Sequence, residues 1–424
     1  MPAQPSVMTN KAAQHNTTVA LVEWHWMGHH PSYAVHLALA ISNAGMDVVP
    51  FCANPADFQR RLNSSTDQSL KHSGKIHQAI QIQRAGSRIK WPRRLLPIGQ
   101  AINHFGILGK QLRRWSQSNS RAIDQVFFCC IYDIDFEFFR YADPFFRFPW
   151  AGLYFNSRFF RLPGTRIPYQ ARISCPEKFF SLPSCTGVAV VDPQAVQAMQ
   201  ERIGANKRVI LFPDFTDVSL DCATASTPSS LASKIRSFAN GKPIISLVGH
   251  LQRTKGLLSF TRAACDSSMQ DITFFLGGEI NWQEISEPDK QWLLQKWEEK
   301  PNIFTHFQRL SSEVVLNQVI VESDIIYTAY RDFPNSSNIL TKAALLQRPV
   351  VVSEGHLMAE LVRDYQLGEV VRDDDLANIC QTLRTMLQPG YFNQLSQRAR
   401  WQDYTDLQSA DRLPQAFKQL LAVR

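Results

Sequence analysis

Short apolar runs alternate with helical segments through the second half of the chain, and this alternation is what most constrains the fold. Six runs begin at residues 243, 272, 302, 324, 349 and 367, and each leads into a segment with apolar residues at helical spacing. Apolar runs of this length fit strands buried on both faces, and the intervening helices are the crossovers that parallel strands require. The sequence therefore predicts a doubly wound α/β domain over residues 241–400.

The first half of the chain shows the same rhythm less plainly. An apolar run at 18–23 is followed by the loop WHWMGHHPS, a helical pattern that stops at Gly45, and a second apolar run at 46–53. Further apolar runs lie at 125–133, 149–157, 186–192 and 208–215. We therefore expect a second Rossmann-like domain over residues 18–219, and two such domains facing each other across a cleft.

Length and local composition indicate the remaining boundaries. A chain of 424 residues is too long for one ordinary domain. Residues 1–17 lack a signal-peptide pattern and are expected to be a disordered lead-in, and residues 220–240, rich in small and polar side chains, a linker. Residues 401–424 are expected to form helices that pack back on the N-terminal domain. With no run of about 18 apolar residues, a cytoplasmic protein is expected.

The eight cysteines give no sign of a metal centre. They are scattered, and none forms a CxxC pair with ligand spacing. Reduced, buried thiols are the expected state. The sequence thus predicts no metal site and no cofactor.

Positive charge is concentrated in the first half of the chain. The net charge is +8, but residues 1–240 hold 26 Lys+Arg against 15 Asp+Glu, and residues 241–424 hold 19 against 22. Residues 68–123 contain eleven basic and no acidic side chains, interleaved with tryptophan and leucine. This pattern suits the inner face of an anionic membrane or an anionic acceptor. An ordinary basic surface and nucleic-acid binding are the alternatives, although no nucleic-acid motif accompanies the segment.

Four arginines, in two adjacent pairs, are the candidates for contact with the anionic membrane or acceptor. They are Arg93, Arg94, Arg113 and Arg114.

The stretch 244–256, IISLVGHLQRTKG, has the pattern of an anion-binding strand, turn and helix start. Gly249 ends the apolar run, and Lys255 stands just before the helical segment that follows. Backbone N–H groups at a helix start and a nearby lysine suit a phosphate. A lysine opposes the helix dipole at this end, which favours a functional role over a solvated side chain. His250 is either a second phosphate donor or a turn histidine.

Two motifs in this half resemble those of a known family. VGHLQRTKGL at 248–257 and YRDFPNSSNILTKAALLQRPVVVSEGHLMAE at 330–360 resemble the VGRL–EKGL and E-x7-E elements of family 4 (group 1) GT-B glycosyltransferases. The resemblance implies a GT-B fold and transfer of a sugar from a nucleotide-diphosphate sugar to a glycan or lipid-linked acceptor. It also implies retention of configuration and independence from metal.

The chain departs from the family at the acidic pair. Pro334 and Lys342 stand where the two acids belong, and His250 stands where arginine is usual, whereas Glu360 matches a later glutamate of the family. Lys342 is either a ligand for the diphosphate or a sugar carboxylate, or an exposed helix lysine. The loss of both acids motivates the alternative of a non-catalytic GT-B binding protein.

The remaining candidates divide between the donor and acceptor sides. Ser337 and Asn338 precede a helix, where such residues cap the helix and the same N-terminus can bind phosphate. On the acceptor side, His29 and His30 follow the first strand, and Asp133 follows a later one. Strand ends of this kind gather ligands in open α/β sheets, so a catalytic base or a group that orients the acceptor hydroxyl is expected among these three residues. For each histidine, a loop side chain bonded to backbone is the alternative.

Overall fold

The computed structural model describes most of the chain. It covers residues 16–28, 30–64, 74–83, 95–132, 136, 138–156, 158–162, 176–220, 231–310 and 312–422.

The first sheet contains seven parallel strands in the order β3-β2-β1-β4-β5-β6-β7. The strands are β1 (Thr18–Glu23), β2 (Asp47–Cys52), β3 (Ile80–Gln81), β4 (Gln125–Phe128), β5 (Trp150–Tyr154), β6 (Cys185–Val190) and β7 (Arg208–Leu211). β1, β2, β4 and β5 are buried along their whole length, as strands covered on both faces must be.

The second sheet contains six parallel strands in the order β10-β9-β8-β11-β12-β13. The strands are β8 (Ile244–Val248), β9 (Thr273–Gly277), β10 (Ile303–His306), β11 (Ile325–Thr328), β12 (Val350–Ser353) and β13 (Gly368–Val371). In both sheets the first six strands run in the Rossmann order 3-2-1-4-5-6, so the doubly wound α/β prediction is confirmed.

The helices connect these strands as crossovers or follow the last strand. They are α1 (His30–Asn43), α2 (Pro55–Ser64), α3 (Leu96–Ser118), α4 (Phe139–Phe146), α5 (Arg158–Arg161), α6 (Ala195–Ile203), α7 (Leu231–Ala239), α8 (Leu257–Cys265), α9 (Glu287–Glu299), α10 (Glu313–Glu322), α11 (Asn338–Leu345), α12 (Leu357–Tyr365), α13 (Leu376–Met386), α14 (Tyr391–Arg398), α15 (Trp401–Gln408) and α16 (Leu413–Leu421). Within the described ranges, no helix combines the length and the apolar character needed to cross a membrane.

The described residues form two compact units. The first lies within Met1–Tyr154, Arg166–Phe212 and Asp411–Arg424, and the second within Phe155–Thr165 and Pro213–Ala410. The division therefore differs from the sequence-based one, because the second unit takes residues near 160 and ends ten residues after 400. Of the residues after 400, those from Asp411 onward belong to the first unit.

Two expectations at the domain ends need correction. Of the expected linker 220–240, residues 221–230 lie outside the described part, and Leu231–Ala239 is helix α7, which buries Ile235 and Ala239 in the second core. Of the expected returning segment 401–424, α15 belongs to the second unit and α16 to the first. The ring of Phe417 on α16 lies 4.9 Å from Phe127 and 5.0 Å from Phe212, and these contacts hold the helix there.

Candidate functional site

Each sheet has one point where the strand order reverses, and several of the candidate residues lie around these points. The reversals fall between β1 and β4 and between β8 and β11. Helices on opposite faces leave a crevice at the carboxyl ends of such a strand pair, which is where ligands bind in open α/β sheets. The turn after β8 carries Gly249, His250 and Lys255, and His30 begins the helix that follows β1.

The turn after β8 is held in place by close backbone contacts. Gly249 and Gly256 have φ angles of 108° and 75°, in the region that favours glycine. A Cβ on Gly256 would lie 2.4 Å from the carbonyl oxygen of Ala329, at the end of β11. The N–H of Arg331 donates to the carbonyl oxygen of Thr254 at 2.8 Å. This packing fixes Lys255 at the strand reversal.

The ammonium of Lys255 lies between two aromatic rings. Nζ is 3.9 Å from the ring centre of Tyr330 and 4.5 Å from that of Phe333. Burial lowers the pKa of Lys255 to about 7, and no charged group of the described residues contributes to that shift. The ring faces favour the charged form, whereas burial disfavours it. Lys255 is thus a desolvated cation without a protein anion beside it, in the described part of the chain.

His250 lies at the rim of a pocket beside this turn. The side chain is exposed, and the pocket has a volume of about 360 Å³. Its other lining residues are Glu279, Ile280, Asn281, Trp282 and Phe307. Its aromatic faces could stack on a planar polar ligand, and its amide and carboxylate could hydrogen-bond to that ligand.

The start of α11 lacks a side-chain cap. Ser337 occupies the N-cap position, but its hydroxyl is directed at the Tyr330 hydroxyl at 3.4 Å. Asn338 accepts a hydrogen bond from Thr216 at 3.1 Å and donates to the Phe215 carbonyl oxygen at 3.5 Å. The capping predicted for these side chains is therefore wrong, because the N-cap side chain makes no hydrogen bond to the first N–H groups of α11.

Lys342 has a structural role, which corrects both sequence-based interpretations. The side chain is fully buried, and Nζ lies 2.8 Å from Glu313 Oε2. Nζ also donates to Asn317 Oδ1 at 3.2 Å and to the carbonyl oxygen of Asp217. Three partners occupy the three donors of the ammonium. Lys342 is therefore neither an exposed helix lysine nor a ligand for the diphosphate.

Around the start of α12 lie three polar atoms that have no hydrogen-bond partner among the described residues. Glu360 pairs with Arg161 through Oε1, which leaves Oε2 buried without a partner. Nδ1 of His356 and the hydroxyl of Ser353 are buried and unpartnered as well. A buried polar group in this state is costly unless a ligand or water completes it. Sequence reasoning found Glu360 but missed Ser353 and His356.

At the reversal of the first sheet, His30 is part of a hydrogen-bonded chain. Nδ1 lies 3.0 Å from Glu23 Oε2, and Nε2 lies 2.9 Å from the hydroxyl of Tyr132. Glu23 ends β1, His30 begins α1, and Tyr132 follows β4. His29 and Asp133, the other predicted catalytic residues, lie outside the described residues.

Cys130 joins this cluster as a potential metal ligand. One ligand atom each of Glu23, His30 and Cys130 lies within 4.8 Å of the others, and all three side chains are buried. Burial and the neighbouring Glu23 raise the pKa of the Cys130 thiol well above its usual range. A neutral thiol and a paired imidazole account for the cluster by hydrogen bonding alone.

The basic segment is described only in part, and Arg93 and Arg94 lie outside the described residues. Arg114 is exposed on α3, whereas Arg113 donates to the carbonyl oxygen of Phe146 at 3.2 Å. Arg113 lines a pocket of about 380 Å³ together with Ile102, Asn103, Gly106, Ile107, Lys110, Pro144, Phe145 and Arg147. The pocket combines three cations with apolar walls.

The sequence matched no family model and no curated protein. Solved structures did match. Sucrose-phosphate synthase from Thermosynechococcus elongatus is 15% identical, with coverage of 96% of this chain and 98% of that one and a TM-score of 0.65. HepE from Anabaena, solved with UDP-glucose, is 13% identical over 96% and 100% of the two chains, with a TM-score of 0.64.

A UDP-forming α,α-trehalose-phosphate synthase from Burkholderia xenovorans is 12% identical over 96% and 99% of the two chains, with a TM-score of 0.66. Identities this low establish the fold alone. The chain therefore has the GT-B fold that its sequence predicts.

Proposed function

We propose that this protein is a glycosyltransferase that moves a sugar from a nucleotide-diphosphate sugar to a hydroxyl-bearing acceptor. The observation that carries the proposal is Lys255, a desolvated cation held between Tyr330 and Phe333 at the strand reversal of the second sheet. Negative charge grows on the diphosphate as the glycosidic bond breaks, and a preorganised cation stabilises that charge. In this proposal, Lys255 binds the diphosphate together with the uncapped start of α11.

The neighbouring features supply the rest of a donor site. The pocket beside His250 has the size and aromatic lining for a nucleobase and its ribose. The unpartnered atoms of Ser353, His356 and Glu360 offer hydrogen-bonding groups to sugar hydroxyls. HepE was solved with UDP-glucose, which makes uridine nucleotides the first ligands to test. Retention of configuration and independence from metal remain part of the proposal, from the family resemblance.

In this proposal the acceptor binds to the first unit. The cationic pocket at Arg113 suits an anionic or lipid-linked acceptor, because three cations lie beside exposed apolar side chains such as Phe145. Peripheral attachment to an anionic membrane belongs to the same proposal. Flotation with liposomes, with and without anionic lipid, tests it, and Arg113→Glu with Arg114→Glu should abolish any binding that depends on the anionic lipid.

A non-catalytic binding protein is the second candidate. The acidic pair of the family is replaced by Pro334 and Lys342, and Lys342 is committed to Glu313 within the core. Donor contacts made by those acids in the family that the sequence resembles are therefore absent here or made differently. Release of UDP from UDP-glucose separates the candidates, since a binding protein would bind UDP without turning over the sugar nucleotide.

Titration with UDP tests the donor site directly. Lys255→Ala should weaken UDP binding by about tenfold or more, the effect of losing one charge-assisted contact. Lys242→Ala is the matched control, because Lys242 is an exposed lysine just before β8 whose side chain donates to the carbonyl oxygen of Gln270. Equal affinity in the wild type and Lys255→Ala would show that the diphosphate does not bind here.

A further inference from the structure

A second pocket in the second unit has no part in the proposed transfer. It has a volume of about 290 Å³ and lies between the start of α8, the start of α13 and the loop after β11. It shares no lining residue with the pocket at His250, and Lys255, Tyr330 and Phe333 do not line it. All of its lining residues belong to the second unit. The pocket is therefore a separate candidate site within one compact unit.

Three arginines supply the positive charge of this pocket. Arg253 precedes α8, Arg262 lies on α8 and Arg331 follows β11, and all three are exposed. The guanidinium groups of Arg253 and Arg262 form no hydrogen bond or ion pair with the described residues, although Cζ of Arg262 lies 5.8 Å from the ring centre of Trp292. Arg331 lies 3.8 Å from Asp332, which is outside the pocket. Guanidinium N–H groups in this state suit a phosphate, which they bind in bidentate fashion.

Two aspartates supply negative charge that these arginines do not neutralise. Asp373 and Asp374 lie just before α13, and neither forms an ion pair with the three arginines. Burial raises the pKa of Asp373, and Arg331 offsets this only in part. A half-buried carboxylate of this kind is stabilised by an O–H or N–H donor. A third aspartate, Asp289, already accepts a hydrogen bond from the hydroxyl of Ser286 at 2.7 Å.

The remaining wall of the pocket is largely apolar. Leu258 on α8 and Leu376 and Ile379 on α13 line it, and Leu376 is 36% exposed. The hydroxyl of Ser259 donates to the carbonyl oxygen of Gly256 at 3.0 Å, so the charged side chains supply the polar contacts that a ligand would meet. An apolar wall beside polar groups suits a sugar ring, which has C–H groups on its face and hydroxyls at its edge. The volume is at the lower end of the range for ligand pockets, roughly 300–1,000 Å³, which favours a single substituted ring over a nucleotide sugar.

We propose that this pocket binds a phosphorylated sugar. The phosphate accepts hydrogen bonds from Arg253 and Arg262. The sugar hydroxyls donate to Asp373 and Asp374, since a carboxylate only accepts. A ligand with negative charge alone would be repelled by the two aspartates, and a neutral sugar would leave both arginines without a counter-charge. The inference goes beyond the proposed transfer, because no side chain assigned to the donor site takes part in it.

Calorimetric titration of the whole protein tests this site with three probes. Glucose 6-phosphate should bind, whereas glucose and inorganic phosphate should each bind at least about tenfold more weakly, because each makes only part of the contacts. Arg253→Ala combined with Arg262→Ala should weaken glucose 6-phosphate binding by about 100-fold, about tenfold for each charge-assisted contact. Arg363→Ala is the matched control, because Arg363 is an exposed arginine on α12 that does not line the pocket.

The aspartates give a test in which two probes respond in opposite directions. Asp373→Ala combined with Asp374→Ala should weaken glucose 6-phosphate binding by about tenfold, because the hydroxyls lose their acceptors. The same variant should bind inorganic phosphate more tightly than the wild type does, because two repelling charges are gone. Asp364→Ala, at an exposed aspartate on α12, is the control and should change neither affinity. Weaker binding of inorganic phosphate by the double variant would overturn the assignment of the two aspartates.

Three further outcomes would overturn the proposal, with circular dichroism melting curves showing that each variant is folded. One is no binding of glucose 6-phosphate by the wild type. Another is equal affinity for glucose 6-phosphate and inorganic phosphate, because the pocket would then recognise an anion alone. The third is loss of glucose 6-phosphate binding in Lys255→Ala, because the ligand would then occupy the donor site. The proposed function is scored separately, through the effect of Lys255→Ala on UDP affinity.

Discussion

At the scale of single residues, Lys255 is tuned by two opposing effects. Burial lowers its pKa to about 7, whereas Tyr330 and Phe333 favour the charged form. A bound diphosphate would raise this pKa, because an opposite charge stabilises the ammonium. The group is therefore neutral in part when empty and charged when occupied.

This difference predicts a pH dependence of UDP binding. Above pH 7 the free protein loses the proton that the complex needs, so affinity should fall as pH rises from 7 to 9, by at most about tenfold per pH unit. Isothermal titration across this range measures it. In Lys255→Arg the charge is fixed, and affinity should stay level. The same change of UDP affinity with pH in the wild type and in Lys255→Arg would contradict this account of Lys255.

Lys342 illustrates a residue whose role is stability. Lys342→Met keeps the aliphatic stem but removes the ammonium, so Asn317 and the Asp217 carbonyl lose a donor. Because Glu313 is a third exposed and can be rehydrated, we expect a loss of about 1–3 kcal/mol in the free energy of unfolding. Lys342→Glu, which restores the acid of the family, should cost more than about 3 kcal/mol because it faces Glu313.

Urea denaturation measures the free energy of unfolding of both variants. A UDP titration at pH 7 without denaturant provides the contrast. UDP affinity should be unchanged in Lys342→Met. A loss of affinity with unaltered stability would return Lys342 to the ligand site.

At the scale of elements, the turn between β8 and α8 depends on one close approach. Gly256 has a φ of 75°, and an added Cβ would lie 2.4 Å from the carbonyl oxygen of Ala329. Ala329 directly follows the neighbouring strand β11 and precedes Tyr330, which contacts Lys255. The glycine therefore sets both the turn and the position of the lysine beside its rings.

Gly256→Ala should destabilise the protein and weaken UDP binding together. Gly390→Ala is the matched control, because Gly390 has a φ of 87° but open space around its Cβ position. We expect a cost of about 1 kcal/mol for the positive φ in the control, and at least about 1 kcal/mol more at Gly256 for the clash. Chemical denaturation of both variants measures the difference. Equal costs would show that the turn can relax.

At the scale of the whole molecule, the chain passes between its two units more than once. Residues near 160 and from 213 to 410 belong to the second unit, and α16 belongs to the first. Phe417 on α16 is fully buried against Phe127 and Phe212. The last helix is therefore part of the first hydrophobic core.

Phe417→Ala should destabilise the first unit selectively, by about 3–5 kcal/mol. Phe392→Ala, at a phenylalanine 43% exposed on α14, should cost under about 1 kcal/mol. Hydrogen exchange read by mass spectrometry should show faster exchange in β4, β6 and β7 of the first variant, with β8 to β13 unaffected. Uniform loss of protection in both sheets would mean that the units unfold as one.

The local sequence determined the strands and helices and the α/β class of the fold. The spacing of apolar residues and the residues that form turns both act over only a few positions. The runs after 243 predict the second sheet, and 244–256 predicts the strand, turn and helix that carry Lys255. The basic segment and the match at Glu360 likewise gave candidates that can be read from the chain alone.

Tertiary structure decided which candidates have partners, because those partners are distant in sequence. Lys342 binds Asp217, 125 residues away, and His30 binds Tyr132, 102 residues away, so no local pattern distinguishes a ligand residue from a structural one. The aromatic rings around Lys255 come from a different strand end for the same reason. The sequence by itself thus determined the GT-B framework and the position of Lys255, whereas packing between distant segments decided the environment of each charged group.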